Sequence, residues 1–402
     1  MYMETDKEQL LRKFGEWISF VTDLGKYNEQ IWDQRIAADK WTVREVVIHI
    51  LRWDDYFYEE AIAKVRAGLP LTVKHLDYDV FNLSARTNGK TAAIADLVHQ
   101  AVQSRQRIIA VLSGLTEEQY TATYRDADGQ PFEAKQYMKD FIWHDQHHID
   151  QIKQRIHFRI EEMSLNGWPA LQTVVYDGWL LRFANGYTKR SNSISPLYGH
   201  TLEIDSKIRT CETSYAQRGM RPVFKITPFI QPASLDDKLA SLGYELIDHT
   251  LVKTIHLEEV REPSHTEIWL GNAPSESWVN ALAMFSGLSE EQRTVTRMMM
   301  EQSPLPKCFA VLHDNGLPVA CGLAVMEDGW IGLYDIITDP GNRKRGFGEQ
   351  LILHLLQWGR REGATHGYLL VVKNNAPANR LYDKIGYLQQ YEYWYRVQAD
   401  EN

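Results

Sequence analysis

A chain of 402 residues, 44% hydrophobic and 24% charged, has room for two or three domains that each bury a core, and its composition is that of an ordinary globular protein. The net charge of −9 excludes a broad polyanion-binding surface, so neither nucleic acid nor an anionic membrane is expected as a partner, although a local basic loop could still hold phosphate. Cys211, Cys308 and Cys321 are too few for a disulfide framework, the opening M-Y-M-E-T-D-K-E lacks the blocks of a signal peptide, and no run of about 18 apolar residues occurs; a cytoplasmic protein is expected.

The first 156 residues have a helical pattern. Leu10, Leu11, Phe14, Trp17, Ile18 and Val21 form one apolar stripe. A second helix starts after Thr42, an N-cap with Glu45 three residues on, and carries Val46, Val47, His49, Ile50 and Trp53. A third runs from about Thr91 through Ile94, Leu97, Ala101, Ile108 and Leu112 to Gly114, and a fourth covers roughly residues 134–156. Four long helices without a convincing strand predict an all-α four-helix bundle over residues 1–156.

Within it, His144 and His148 are four residues apart and so share one helix face, while His49 lies in the apolar stripe of the second helix. Each histidine alone reads more readily as a hydrogen-bonded core residue than as a ligand. Together they make a facial three-nitrogen set suited to a divalent first-row metal, with positions left open. His147 points about 100° away and reads as a surface residue, and Asp145 as a solvated helix carboxylate. The order W-T-V-R-E-V-V-I-H-I, then W-H-D-Q-H-H-I-D-Q-I, resembles the DinB-like metal-binding bundle family. That resemblance implies His49, His144 and His148 as ligands of a divalent transition metal, nickel or zinc foremost, and, from some members, transfer of a small thiol such as bacillithiol to an electrophile. The bundle's apolar faces could support a homodimer.

After about Arg159 short alternating segments replace the helical pattern. Trp179–Phe183 reads as a strand closed by an Asn185-Gly186 turn, and the charged stretch from Glu258 to His265 marks a second boundary. The segment from Leu202 to Ile255 repeats the end of the chain in outline: Gly219 to Gly243 is 24 positions and Gly363 to Gly386 is 23. Tyr187, Lys189, Arg190 and Asn192 near the turn are candidates for an acceptor pocket, or simply a solvated loop.

The last part opens with helices near residues 276–285 and 289–299 and strands 308–312 and 319–326 around an Asp314-Asn315-Gly316 turn. The strand in W-I-G-L-Y-D-I-I-T-D-P then runs into the basic glycine loop G-N-R-K-R-G-F-G and a helix. Arg343, Gly346 and Gly348 there let backbone N–H groups converge at a helix N-terminus, where the macrodipole favours anions. A glycine loop alone is weak evidence, but it is followed by N-x-x-A-x-x-L-Y from Asn375 to Tyr382 and by K-I-G-Y. The combination resembles the GNAT N-acetyltransferase family.

The resemblance implies a multidomain chain: the bundle (1–156), a degenerate GNAT-like half (157–260) and a GNAT acetyltransferase domain (264–400), an α/β (α+β) fold in tandem. It implies acetyl-CoA as cosubstrate, with pantetheine along Ile336, Ile337 and Thr338, and pyrophosphate on Arg343, Lys344, Arg345, Gly346, Phe347 and Gly348. Asn375 would contact the cofactor and Tyr382 would be the general acid. Asp335 is the best candidate for the base, directly or through water, with Glu327 and Asp328 as weaker ones. The expected activity is N-acetylation of a small-molecule amine, with protein termini or lysines as further acceptors. The competing reading is a metal-dependent thiol transferase whose GNAT part only binds acyl-CoA.

Overall fold

A computed structural model describes residues 5–89 and 92–399, which form two compact units, Met1–Ile156 and His157–Asn402. Among the described residues no helix is long and apolar enough to cross a membrane.

The first unit contains α1 (Asp6–Phe14), α2 (Glu16–Leu24), α3 (Glu29–Trp32), α4 (Val43–Phe57), α5 (Ala63–Ala67), α6 (Tyr78–Gly89), α7 (Ile94–Ser113), α8 (Glu117–Thr121) and the start of α9 (Ala134–Gly167). The expected stripe survives a break at Gly15: Phe14, Trp17, Val21 and Leu24 are all buried. Thr42 caps α4, accepting from the Glu45 N–H while the Glu45 carboxylate accepts from the Thr42 N–H at 2.9 Å, a box typically worth about 1 kcal/mol. α7 begins at Ile94, and Thr91, its expected start, lies outside the described residues.

Three features depart from expectation. The helix drawn to 156 runs on to Gly167, because no glycine or proline interrupts it and Ile160 and Met163 continue its buried face. A ribbon of β1 (Tyr124–Arg125) and β2 (Pro131–Phe132) is too short for a period-2 signal. Asp145 is buried rather than solvated: Arg105 donates to Asp54 at 2.9 and 3.0 Å and to Asp145 at 3.2 Å. Burial pushes Asp54 up to about 6. It acts against Asp145 too, but there the Arg105 guanidinium prevails and holds the carboxyl below its usual range.

In the second unit the strands are β3 (Gln172–Tyr176), β4 (Trp179–Phe183), β5 (Ile194–Ser195), β6 (Val223–Ile226), β7 (Tyr244–His256), β8 (Ile268–Gly271), β9 (Lys307–Asp314), β10 (Leu317–Glu327), β11 (Trp330–Thr338), β12 (His366–Val372) and β13 (Leu388–Gln398). The helices are α10 (Ile204–Ala216), α11 (Leu235–Ser241), α12 (Glu276–Ser286), α13 (Glu290–Gln302), α14 (Phe347–Arg361) and α15 (Ala376–Ile385). All eleven strands join one sheet in the order β3-β4-β5-β6-β13-β7-β12-β11-β10-β9-β8. The two halves exchange strands: β13 lies between β6 and β7, and β7 lies between β13 and β12. Each half therefore completes its sheet only with the other's last strand.

Two irregularities open the sheet. The β10–β11 register slips between Cys321 and Leu323, so that β11 carries an extra residue near Asp335, whose φ is 48°. Parallel β11 and β12 pair from Trp330↔His366 only to Leu333↔Leu369. Beyond that rung β12 continues along β7 alone and β11 along β10, leaving a wedge between Tyr334–Thr338 and Leu370–Val372. Leu369 and Val371 pack into the core with Leu351, Leu355 and Leu356 of α14. By alternation, Leu370 and Val372 face the other side of the sheet.

Candidate functional site

On the α14 side of the wedge lies a cleft of about 770 Å³. Ile336, Ile337 and Thr338 form one wall, Arg343, Lys344, Gly346, Phe347 and Gly348 its head, and Asn375 and Tyr382 the α15 side. Gly346 is the N-cap of α14 at φ 87° with no side-chain cap, so the first-turn N–H groups are left for an anion. Gly348 keeps the approach open, since a Cβ there would stand 3.1 Å from Thr338 Oγ1. These groups fit a pyrophosphate by donor chemistry. Arg345 is not in the cleft lining: it binds Asn342 Oδ1 at 2.6 Å and Asp314 at 2.8 Å.

Tyr382 is buried, and burial, only partly opposed by Arg190, pushes its hydroxyl up to about 12, so it carries its proton at neutral pH. Asn375 caps α15, its side chain accepting from the Ala378 N–H at 3.3 Å, a structural duty beside any ligand contact. Asp335 is outside this cleft's lining. Its Oδ2 is buried without a hydrogen bond, and burial, partly offset by Arg190, raises its carboxyl to about 6. Glu327 and Asp328 are both bound by Arg159, at 2.6 and 2.5 Å, which removes them as free bases. The cysteines are buried, and burial pushes the Cys211 and Cys308 thiols up to about 12, as unreactive packed groups.

Across the sheet a smaller cavity of about 270 Å³ is lined by Thr188, Lys189 and Arg190, by Leu370 and Val372, and by Tyr393 and Tyr395 among others. Lys189 pairs with Asp248 at 2.8 Å. Asn192 instead staples its own loop, accepting from Ala184 and Gly186 and donating to Tyr187 and Thr188. Burial and the Asp335 charge hold Tyr187 at about 12.

In the first unit the imidazole nitrogens of His49, His144 and His148 lie within 4.8 Å of one another, with His49 Nε2 and His144 Nε2 3.1 Å apart. The Asn82 amide oxygen meets His49 Nδ1 at 2.8 Å, and the Gln151 oxygen meets His148 Nδ1 at 3.0 Å. An oxygen acceptor at Nδ1 places the proton there and leaves the Nε2 lone pair inward, as a metal ligand requires. Burial, reinforced by the His144 charge, depresses His49 to about 3 and His148 to about 4, so both are neutral near pH 7. The donor set fits a divalent transition ion. Sequence reading missed Asn82 and Gln151: Gln151 was findable one turn after His148, whereas Asn82 comes from another helix. An apolar cleft of about 520 Å³ adjoins His49 and His144, walled by Trp53, Phe57, Tyr78, Phe141 and Trp143.

Residues 157–396 match the family described as "Probable histone acetyltransferase Rv0428c C-terminal", and residues 9–152 match the DinB superfamily. An "Uncharacterized N-acetyltransferase YobR" of Bacillus subtilis is 30% identical over 244 residues, 60% of this chain and 97% of that protein. The "Probable histone acetyltransferase Rv0428c" of Mycobacterium tuberculosis is 26% identical over 225 residues, 53% of this chain and 65% of that one, just under two thirds of its length. Among solved structures, a GCN5-related N-acetyltransferase from Kribbella flavida aligns at 16% identity and a TM-score of 0.48, over 61% of this chain and 96% of that one.

Proposed function

The chain belongs to the family of the probable histone acetyltransferase Rv0428c C-terminal region, and on that footing we propose that its second unit moves an acetyl group from acetyl-CoA to the amine of a small molecule. That unit is a GNAT N-acetyltransferase, and the first is a DinB-superfamily domain. The observation that carries the reading is the parting of β11 and β12 beside the uncapped α14 N-terminus, with Tyr382 on the cleft wall.

The α14 N–H groups, with Arg343 and Lys344, hold the pyrophosphate. Backbone along Ile336–Thr338 lines the pantetheine arm, and an N–H near Ile337 polarises the thioester carbonyl. The acceptor nitrogen attacks that carbonyl carbon, so a C–N bond forms and the C–S bond breaks. The nitrogen's proton passes to Asp335, directly or through water, and the Tyr382 hydroxyl returns a proton to the departing thiolate. A carboxyl held near 6 is mostly ionised at pH 7 yet basic enough to accept. A cytoplasmic setting belongs to the same reading.

Calorimetric titration of the metal-analysed protein with acetyl-CoA tests this. About one equivalent should bind, and Gly348→Glu, which places a carboxylate in the anion cradle, should abolish it. No binding to the parent protein would reduce the second unit to a scaffold.

The histidine cluster favours a second activity in the first unit. His49, His144 and His148 would hold a nickel or zinc ion, which when bound lowers the pKa of a coordinated thiol or water. Asn82 and Gln151 keep the rings oriented, and the aromatic wall suits an apolar electrophile. Metal-dependent consumption of a low-molecular-weight thiol with an aromatic electrophile, lost in His148→Ala, is the expected result.

A further inference from the structure

The cavity on the far side of the wedge contains a cation that the acetyl-transfer reading leaves without a task. Arg190 lies in the short 3-10 turn Lys189–Ser191, and its guanidinium stands 5.4 Å from the Trp168 ring centre. Among the described residues it has no hydrogen-bond or ion-pair partner, whereas neighbouring Lys189 is matched by Asp248. A half-buried guanidinium with no anion in hydrogen-bond reach is costly, and here the surroundings fix the backbone that carries it. Buried Arg182 donates to the Arg190 carbonyl at 2.7 Å and to the Trp168 carbonyl at 2.6 Å. Trp168 stacks on Tyr334 of β11 at 5.9 Å, and its indole N–H donates to Thr188 Oγ1 at 3.2 Å. Thr188 itself sits at φ 56°, a backbone setting that a β-branched residue adopts only under constraint.

Arg190 is also the cation whose field reaches both the Asp335 carboxyl and the Tyr382 hydroxyl. The cavity it lines opens toward Leu370 and Val372, the far edge of the wedge through which an acceptor must meet the thioester. A positive group thus stands on the acceptor side and an unpartnered carboxylate at the bulge.

We propose that Arg190, supplied by the half of the unit without a glycine loop, is the acceptor-binding residue, and that the acceptor is a small primary amine that also carries a carboxylate. The planar guanidinium takes the carboxylate by paired hydrogen bonds, while the amine faces Asp335. A lysine-rich peptide would bring more cations toward Arg190 and is disfavoured. The inference rests on the acetyltransferase reading above.

The test measures acetyl transfer by the full-length protein to the proteinogenic amino acids, each paired with the amine that lacks its carboxylate, and to a lysine-rich basic peptide. A carboxylated amine should be preferred over its partner by about tenfold or more in kcat/KM, the discrimination expected of a charge-assisted pair. Arg190→Met should raise KM for that amine and erase the preference, with acetyl-CoA affinity unchanged. Arg190→Lys should restore part of it, which a merely structural role would not produce. Equal use of the paired amines, preference for the peptide, no reaction with any carboxylated amine, or an Arg190→Met enzyme with unaltered KM would each overturn the proposal. Failure of acetyl-CoA to bind the parent protein sinks the underlying transferase reading instead.

Discussion

The hydroxyls of Tyr334 and Tyr368 meet at 2.7 Å on adjacent strands, beside the last rung at which β11 and β12 pair. Their bond fastens the sheet where it divides, so the wedge has a fixed apex. Space for the two rings is made by Gly332, where a Cβ would fall 2.5 Å from the Tyr368 ring and hydroxyl.

Gly332→Ala should therefore displace Tyr368 and disturb the apex. Overpacking of this kind costs about 1–3 kcal/mol, and acetyl-CoA affinity should fall with it. Thermal denaturation and calorimetry check both; an unchanged melting temperature with unchanged affinity would show that the apex is dispensable.

On the proposed mechanism, Tyr382→Phe removes the hydroxyl that would return a proton to the thiolate. Turnover should fall by about 10²-fold or more, while acetyl-CoA affinity stays within about twofold. Parallel loss of affinity would mean that Tyr382 serves the cleft wall rather than proton transfer.

The acid limb of kcat/KM should follow Asp335. Its carboxyl is raised to about 6 by burial, with Arg190 acting in the opposite direction. Below that pH it is protonated and cannot accept, so activity should drop as pH falls through about 6. Arg190→Met removes the opposing cation and should move the limb to higher pH, and Asp335→Asn should abolish it. A pH–rate profile for the three proteins decides; a limb that persists in Asp335→Asn assigns the base elsewhere.

Metal content should be about one equivalent in the purified protein and should be lost in His49→Ala and in His148→Ala. Asn82→Ala and Gln151→Ala should retain the ion but bind it about 10–100-fold more weakly, because they orient rings without ligating. Elemental analysis and competition with a chelator measure this, and full retention in both histidine variants would dismiss the cluster as a metal site.

Arg105→Met leaves Asp54 and Asp145 buried without their shared cation. Removing one partner from such a network costs about 3–5 kcal/mol, so the first unit should melt early or fail to fold. A variant as stable as the parent would show that the two carboxylates take up protons at little cost.

Local pattern determined a good deal of this protein. The Thr42–Glu45 cap, the one-face pairing of His144 and His148 and the glycine loop before α14 all depend on spacings of a few residues. Such spacings fix backbone period and side-chain direction without reference to the rest of the chain. Tertiary structure alone decided what depends on distant segments. Asp145 reads in sequence like any helix carboxylate and becomes a core residue only because Arg105 and Asp54 arrive from other helices. Two repeats in a row look like two separate sheets, yet β7 and β13 are exchanged. Arg190 lies 145 positions before Asp335 in the chain, and only folding brings its charge to the wedge. Periodicity records which way a side chain leaves its own element; whether a partner waits there is set by packing between elements, where no local spacing reaches.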